Sequence, residues 1–253
     1  MDIAQKGGLG LRPKPPKAKA VSKYFCGFIL AAALAVALAA AALRAAPPAA
    51  KPSDTGDKFY IAQLRYGGGG DWYDNRASMP RLQERLAREF GVFPGAERKI
   101  VRLADDDLFS YPVIFMSGHG NVSFAPEEVA RLRAYFERGG FLWASDDYGM
   151  APSLRRELKK VLPGQDYVEL PFSHPIYQAP YRFPSGLPKI HEHDGGPPRG
   201  YALFLGDRMV FFADINTDIG DGLEAPSIHN DPPEVQEQAF RMAVNIVYFA
   251  LSQ

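Results

Sequence analysis

Short apolar runs that alternate with amphipathic stretches constrain the fold of this chain more than any other feature. From residue 58 onward, runs rich in branched and aromatic residues predict strands, and apolar residues at three- and four-residue spacing predict helices. The predicted strands are Lys58–Tyr66, Lys99–Leu103, Pro112–Ser117, Phe141–Ser145, a short one near Tyr167–Leu170, and a hairpin within 201–215 that turns at Gly206 and Asp207.

Four stretches carry helix signals, and they begin near Ser78, Pro126, Ser153 and Asp231. At Asp231, Pro232 comes next and Glu234 lies three residues on, which is a capping-box pattern. Residues 164–200 hold many prolines and glycines and are predicted to be mostly loop. Strands that alternate with helices predict a mostly parallel sheet covered on both faces, a three-layer α/β sandwich.

Ligands of such sheets bind at the carboxyl ends of the strands, and polar residues follow most of the predicted strands. We expect these residues to share one ligand-binding edge. The alternative is that polar residues end strands simply because loops are solvated. The candidate ligand-binding residues are Arg65, Tyr66, Gly67, Gly68, Gly69, Gly70, Asp71, Trp72, Gly118, His119, Gly120, His174, Asp214, Asp218 and Asp221.

Four consecutive glycines lie within the run RYGGGGDWYDN, residues 65–75. A phosphate-binding loop needs Lys-Ser/Thr after its last glycine, and a dinucleotide fingerprint needs a helix directly after the glycines. Here Asp71 follows, and its carboxylate would repel phosphate. With Trp72 and Tyr73 adjacent, the run favours an uncharged, hydroxyl-rich ligand such as a glycan. The alternative is a mobile loop with Trp72 tucked into the core.

Three residues are candidates for catalysis: His119, Asp146 and Asp147. His119 lies between two glycines just after a predicted strand, which exposes an imidazole able to act as acid or base. Its alternative is a structural role, which is the commoner one for a single histidine in a turn. Asp146 and Asp147 follow the next strand. Three roles are open to them: a general base, a pair of metal ligands, or caps of the following helix. Ser145 is a remote nucleophile candidate without the Gly-x-Ser-x-Gly context.

Two segments resemble metal sites without completing one. Asp214–Glu224, DINTDIGDGLE, has oxygen side chains at relative positions 1, 3 and 5, but a calcium loop needs Gly at position 6 and Glu at position 12. Here Ile219 is at position 6 and Glu224 at position 11. His191 and His193 of HEHD have the spacing for a transition metal but no predicted partner nearby. The sequence therefore assigns no metal ligands, and it leaves the cofactor unknown.

Several of these segments together resemble a bacterial family, the domain of unknown function 4159. They are RYGGGGDWY, SGHG, RGGFLWASDD, SHPIY and DINTDIGDG, in this order, within residues 57–251. SGHG and GGFLWASDD are the most specific of them. The resemblance implies the class I glutamine amidotransferase-like fold, a flavodoxin-like α/β sandwich, and it implies no established activity.

The amidotransferases of that fold carry a glycine-rich oxyanion loop after one strand and a cysteine elbow after the next. MSGHGN resembles the loop, and FLWASDDYG falls where the elbow is expected, with Ser145, Asp146 and Asp147 in place of cysteine. The single cysteine, Cys26, precedes the domain. Thiol chemistry, and with it glutamine hydrolysis, is therefore excluded within the domain. The trehalose-utilisation-like relatives of the fold also lack the cysteine and are linked to sugars, which agrees with a glycan ligand.

The first 56 residues predict a membrane anchor. A basic segment, residues 1–23, precedes the 20 uncharged residues Tyr24–Leu43, and a Pro/Ala-rich linker follows over 44–56. At about 1.5 Å rise per residue, the uncharged run has the length of a bilayer core. The basic flank predicts that residues 57–253 lie outside the cytoplasmic membrane, in the periplasm or beyond. The alternative is a cleaved signal peptide with its cleavage site near Ala40–Ala46.

Charge limits the partners of the predicted outer domain. Residues 54–253 carry 28 acidic and 21 basic side chains, a net charge of −7, whereas nucleic acids require a basic surface. Nucleic acid is therefore excluded as a partner, and a glycan or an envelope protein is expected instead. Because no complete catalytic constellation is present, we expect a binding module. The alternative is a hydrolase that uses His119 with Asp146 or Asp147, with or without a divalent metal.

Overall fold

The computed structural model describes residues 59–91 and 95–253, and these contain a seven-stranded sheet. The strands are β1 (Ile61–Leu64), β2 (Lys99–Val101), β3 (Val113–Gly118), β4 (Phe141–Asp146), β5 (Val168–Glu169), β6 (Arg199–Leu205) and β7 (Arg208–Ile215). Their order across the sheet is β2-β1-β3-β4-β7-β6-β5.

Six α-helices lie among the described residues. They are α1 (Ser78–Phe90), α2 (Pro126–Glu137), α3 (Ala151–Val161), α4 (Ile219–Gly222), α5 (Pro226–His229) and α6 (Pro233–Ser252). The four longer ones match the four helices predicted from apolar spacing. Two 3-10 segments add to them, at Asp106–Ser110 and Pro175–Tyr177.

Five neighbouring strands, β2, β1, β3, β4 and β7, run parallel, and β6 and β5 complete the sheet in antiparallel fashion. The mixed α/β architecture with a mostly parallel sheet is thus confirmed. After β1 the chain adds β2 on one side and then β3 on the other. In open α/β sheets, this reversal opens a crevice at the carboxyl ends of the two diverging strands, here β1 and β3.

Strand β3 illustrates why the central strands are apolar along their whole length. Val113 and Phe115 join a core that includes α1 and α6, whereas Ile114 and Met116 join a second core that includes α2 and α3. All four side chains are fully buried. Successive side chains of a strand point to opposite faces, so a strand covered by helices on both faces has no polar side.

The start of α6 corrects one local prediction. The helix begins at Pro233, and its N-cap residue, Pro232, makes no side-chain capping hydrogen bond. Asp231 Oδ1 instead lies 3.0 Å from Nε2 of His191. The predicted capping box is therefore wrong, because a tertiary contact takes the carboxylate that the local pattern assigned to the helix.

The predictions for the basic segment 1–23, the membrane-spanning run 24–43 and the linker 44–56 concern residues outside those described. Across 59–91 and 95–253, none of the helices combines the length and apolar character that a membrane crossing requires.

Candidate functional site

Loops that follow different strands meet at the carboxyl edge of the sheet. Asn75, from the loop after β1, donates hydrogen bonds to Ser117 Oγ in β3 at 3.0 Å and to Asp147 Oδ2 after β4 at 3.2 Å. It also lies close enough to Asp221, beyond β7, to lower the pKa of that carboxylate. Asn75 adopts a left-handed backbone conformation with φ of 55°, which asparagine tolerates better than most residues. One buried amide thus joins three separate segments by hydrogen bonds.

The four glycines pack against the loop that follows β3. Gly70 N–H donates to Asn121 O at 3.1 Å, and Asn121 Nδ2 donates to Gly68 O at 3.0 Å. Gly67 forms an isolated β-bridge with Ser123. A Cβ atom on Gly68 would lie 2.6 Å from the Ser123 backbone nitrogen. The glycines therefore permit two backbone segments to lie side by side. This packing explains the run of four glycines without requiring a bound ligand.

Asp71 orients His119. Oδ2 of Asp71 lies 3.0 Å from Nδ1 of His119, and its Oδ1 accepts the backbone N–H of the same residue. The His119 side chain is 53% exposed, so its ring is open to solvent at the crevice between β1 and β3. A carboxylate on one imidazole nitrogen fixes the ring and leaves the other nitrogen for a substrate or ligand.

Tyr66 lies beneath this pair. Its hydroxyl donates to Ser117 O at 3.1 Å, and a Cβ atom on Gly118 would lie 2.6 Å from that hydroxyl. Gly118 also has a φ of 130°, so glycine is required there on both counts. Burial and the charges of Asp71 and Asp147 raise the pKa of Tyr66, which therefore stays neutral.

Trp72 is partly buried against the core that includes α2 and α3. The Arg65 guanidinium carbon lies 5.1 Å from the centre of its indole ring. These contacts cover much of the indole and limit its use as a platform for a sugar ring. Tyr73, by contrast, is 51% exposed beside it, with its ring edge-on to the indole.

Asp146 and Asp147 point to opposite faces of the sheet, as alternation along a strand requires. Asp146 Oδ1 accepts the backbone N–H groups of Met150 and Ala151 at 2.8 and 3.2 Å, so Asp146 caps the start of α3. Asp147 lies on the other face, bonded to Asn75. Burial and the charges of Asp221 and Asp218 raise the pKa of Asp147 well above its ordinary value. No described hydrogen bond joins either carboxylate to His119, whose partner is Asp71.

Asp214 is turned into the protein rather than toward the edge. Its side chain is completely buried and accepts hydrogen bonds from Trp143 Nε1 at 2.6 Å, Ser145 Oγ at 2.8 Å and the Ile219 backbone at 3.3 Å. Burial raises the pKa of Asp214 to about 7, although these three bonds oppose the rise. Ser145 is equally buried and held by Asp214, which fits a structural serine and not a nucleophile.

The segment that resembles a calcium loop does not converge on one point. Asp214 is engaged with Trp143, whereas Asn216 Nδ2 donates to Asp194 Oδ1 at 2.8 Å. Asp218 Oδ2 contacts His193. Because these three oxygen-bearing side chains have different partners, this described segment does not have the arrangement of a calcium-binding loop.

His191 lies among three carboxylates beyond β4 and β7. Its Nδ1 is 3.2 Å from Asp218 Oδ2 and 3.6 Å from Asp221 Oδ2, and its Nε2 is 3.0 Å from Asp231 Oδ1. Hydrogen bonds to Asp218 and Asp221 raise the pKa of His191 to about 10, although burial opposes the rise. Burial alone would raise the pKa of Asp221, but His191 and the charge of His229 hold it below its ordinary value.

Of the predicted site residues, His174 lies apart from this edge. Its Nδ1 accepts the backbone N–H of Ile176, and its ring packs 5.1 Å from the ring of Phe249 near the end of α6. Gln253, which ends the chain, is bonded to the backbone of Met209 at the beginning of β7. His174 is therefore near the amino end of the strands.

Three residues of this edge escaped the sequence analysis: Asn75, His229 and Asp231. His229 ends the short helix α5 and lies with Nε2 3.8 Å from Asp221 Oδ2. For His229, the only signal in the sequence was its position, because residues 216–232 follow β7 at its carboxyl end. For Asp231, the helix-start pattern indicated a helix cap instead of a site residue.

Comparisons with known proteins place the chain at the level of a family. The comparison with curated proteins finds no match. The model of the family described as Domain of unknown function (DUF4159) matches residues 60–251, which include all seven strands. The chain therefore belongs to the DUF4159 family.

Proposed function

We propose that the domain binds a small ligand at the carboxyl edge of β1, β3, β4 and β7, and that it does so outside the cytoplasmic membrane, held by an N-terminal anchor at Tyr24–Leu43. The observation that carries this proposal is the convergence of side chains from separate segments on this edge, where Asp71 is bonded to His119 and Asn75 is bonded to both Ser117 and Asp147. The basic flank of the uncharged run supports the orientation.

The proposed fold type is flavodoxin-like, of the class I glutamine amidotransferase-like kind. The five parallel strands follow the order 2-1-3-4-7, which has the same topology as the flavodoxin-like order 2-1-3-4-5. Glutamine hydrolysis is not part of the proposal, because residues 54–253 contain no cysteine.

The chemistry of the edge favours a hydroxyl-rich, uncharged ligand such as a glycan. Carboxylates accept hydrogen bonds from hydroxyl groups, and they repel phosphate and sulfate. Asp71 keeps 29% of its side chain exposed, and Tyr73 offers an exposed ring nearby for the apolar face of a sugar. Of the two aromatics after the glycines, Tyr73 and not Trp72 is the proposed contact.

A glycan array tests this proposal with the full-length chain. We expect binding to neutral oligosaccharides and none to their sulfated counterparts. Tyr73→Ala and Asp71→Asn should each weaken the binding about 10-fold or more, since a stacked ring or a charge-assisted hydrogen bond contributes about 1.4 kcal/mol or more.

The matched control for this test is Tyr248→Ala. Tyr248 is 48% exposed on α6, close to the exposure of Tyr73, and lies on a different surface. Equal binding by Tyr73→Ala, Asp71→Asn and the wild type would contradict the proposed site, as would an array with no neutral glycan bound.

A hydrolase is the second candidate, favoured by the Asp71–His119 contact. Here His119 acts as the general base that activates water, and Asp71 orients its ring. The exposed imidazole supports this assignment, and the buried, helix-capping position of Asp146 removes that residue from it.

Hydrolysis of p-nitrophenyl acetate tests the second candidate. If His119 is the base, His119→Gln should lower the rate about 10²–10⁴-fold, the usual contribution of general acid–base catalysis. Asp71→Asn should also lower the rate, whereas His174→Gln should leave it unchanged. If the wild type hydrolyses p-nitrophenyl acetate no faster than His119→Gln does, hydrolysis of this ester by His119 is excluded.

A further inference from the structure

Two imidazoles and a carboxylate meet beyond the carboxyl ends of β4 and β7. Each of His191, Asp221 and His229 offers one ligand atom, and these three atoms lie within 4.8 Å of one another. Asp221 Oδ2 is 3.6 Å from His191 Nδ1 and 3.8 Å from His229 Nε2. A tetrahedral ion with bonds of about 2.0–2.1 Å separates its ligand atoms by about 3.4 Å. Small side-chain rotations would therefore bring the three atoms to coordination distance.

Buried polar oxygens around this triad lack partners. Among the described residues, Asp218 Oδ1, Asp231 Oδ2, Asp147 Oδ1 and Asn75 Oδ1 have no hydrogen-bond partner. Asp218 is 1% exposed, and its other oxygen contacts His191 Nδ1 at 3.2 Å. A buried carboxylate oxygen without a partner is unfavourable, and a cation beside it removes the penalty.

Asp231 has the position of a partner that orients a metal-bound histidine. Its Oδ1 lies 3.0 Å from His191 Nε2, on the side of the ring away from Asp221. Metal-bound histidines generally donate their other ring N–H to a carboxylate or carbonyl, which fixes the tautomer and the ring orientation. The same role explains why Asp231 is engaged with His191 and does not cap α6.

We infer that His191, Asp221 and His229 bind a divalent first-row transition metal ion such as Zn²⁺, and that Asp231 positions His191 for it. Two nitrogen ligands favour this class of ion over Mg²⁺ and Ca²⁺, which prefer oxygen. Three protein ligands leave a coordination position for water or another small molecule. The inference is independent of the proposed glycan, because metal binding is measured without a sugar.

A second group, formed by Asp71, Asp74 and His119, also has ligand-capable atoms within 4.8 Å. It is the weaker candidate, because Asp74 and His119 are exposed and Asp71 already occupies Nδ1 of His119. This group provides an internal control, since a metal ion bound there would depend on His119 and not on His229.

Zn²⁺ titration of the chelator-treated, full-length chain by calorimetry tests the inference. We expect one Zn²⁺ per chain. Asp231→Asn should weaken binding about 10–100-fold, the usual effect of losing a partner that orients a ligand. His229→Gln should weaken it further, because a ligand is lost. His119→Gln should bind Zn²⁺ like the wild type.

Co²⁺ provides a second readout, because four-coordinate Co²⁺ has a visible spectrum that depends on its ligands. The wild-type spectrum should be lost in His229→Gln and retained in His119→Gln. His229 is exposed, so its replacement leaves the core intact. Wild-type Zn²⁺ affinity in His229→Gln, loss of binding only in His119→Gln, or no Zn²⁺ binding at all would each overturn the inference.

Discussion

Gly68→Ala is expected to lower the free energy of unfolding by about 2 to 5 kcal/mol. Gly68 has a φ of 109°, and a left-handed backbone costs other residues about 1–2 kcal/mol. The added Cβ would also lie 2.6 Å from Ser123 N and 2.7 Å from Asn121 O, which are backbone atoms that cannot rotate away. Forcing them apart adds about 1–3 kcal/mol. Denaturant unfolding of the variant and the wild type measures the difference.

Gly69→Ala is the matched control. Gly69 has a similar φ of 93°, but no atom lies within 4 Å of the position that an added Cβ would take. Only the backbone penalty of about 1–2 kcal/mol should remain. If both variants lose the same stability, the glycines are required by backbone conformation alone and the close packing of the two loops is not significant.

Asp214→Asn is expected to change how stability depends on pH, by about 4 kcal/mol between pH 4 and pH 8. Burial raises the pKa of Asp214 from 3.8 to about 7. Between these two pKa values the unfolded chain has released the proton and the folded chain retains it. The stability that the proton contributes is therefore fully present below pH 3.8 and is lost as the pH rises through 7. The variant has no proton to lose, so its stability should decline less.

Unfolding at a series of pH values in the presence of a chelator measures this effect without bound metal ions. Whatever Asp214→Asn costs at pH 4, its stability relative to the wild type should improve as the pH rises. Asp207→Asn is the control, because Asp207 is exposed in the β6–β7 turn and should follow the wild-type curve. Parallel curves for Asp214→Asn and the wild type would show that Asp214 has the same pKa in the folded and unfolded chain.

The architecture was predictable because local signals and tertiary packing agree in this chain. The apolar residues of β3 are buried on both faces, as a strand covered by two helical layers requires. The helix α2 begins at Pro126, where the proline and the following glutamates indicated a start. Local residues mark the boundaries of such elements, so one amino-acid sequence suffices to predict them.

The pairings within the site were not predictable in the same way. The sequence paired His119 with Asp146 or Asp147, whereas its partner in the structure is Asp71. His119 follows β3, which lies between β1 and β4, so carboxylates that follow either neighbour come near it. The choice depends on the sheet order and on side-chain direction, and neither follows from local spacing. Asp146 and Asp147 are adjacent in sequence, yet one caps a helix and the other is bonded to Asn75.

His191 shows the limit of spacing arguments most clearly. The sequence suggested His193 as its metal-binding companion, whereas the atoms grouped with it belong to Asp221 and His229. His193 instead stacks on Tyr148 and contacts Asp218. Residues far apart in the chain meet here because two loops leave the same edge of the sheet, which only the completed topology determines.

The sheet ends on both sides in very short strands, three residues in β2 and two in β5. The two edge strands themselves consequently offer few backbone N–H and C=O groups, and Lys99 adds a charge to one of them. Each edge strand is thus only a short template for pairing with a neighbouring copy. Short, charged edge strands of this kind disfavour the edge-to-edge pairing through which sheets aggregate.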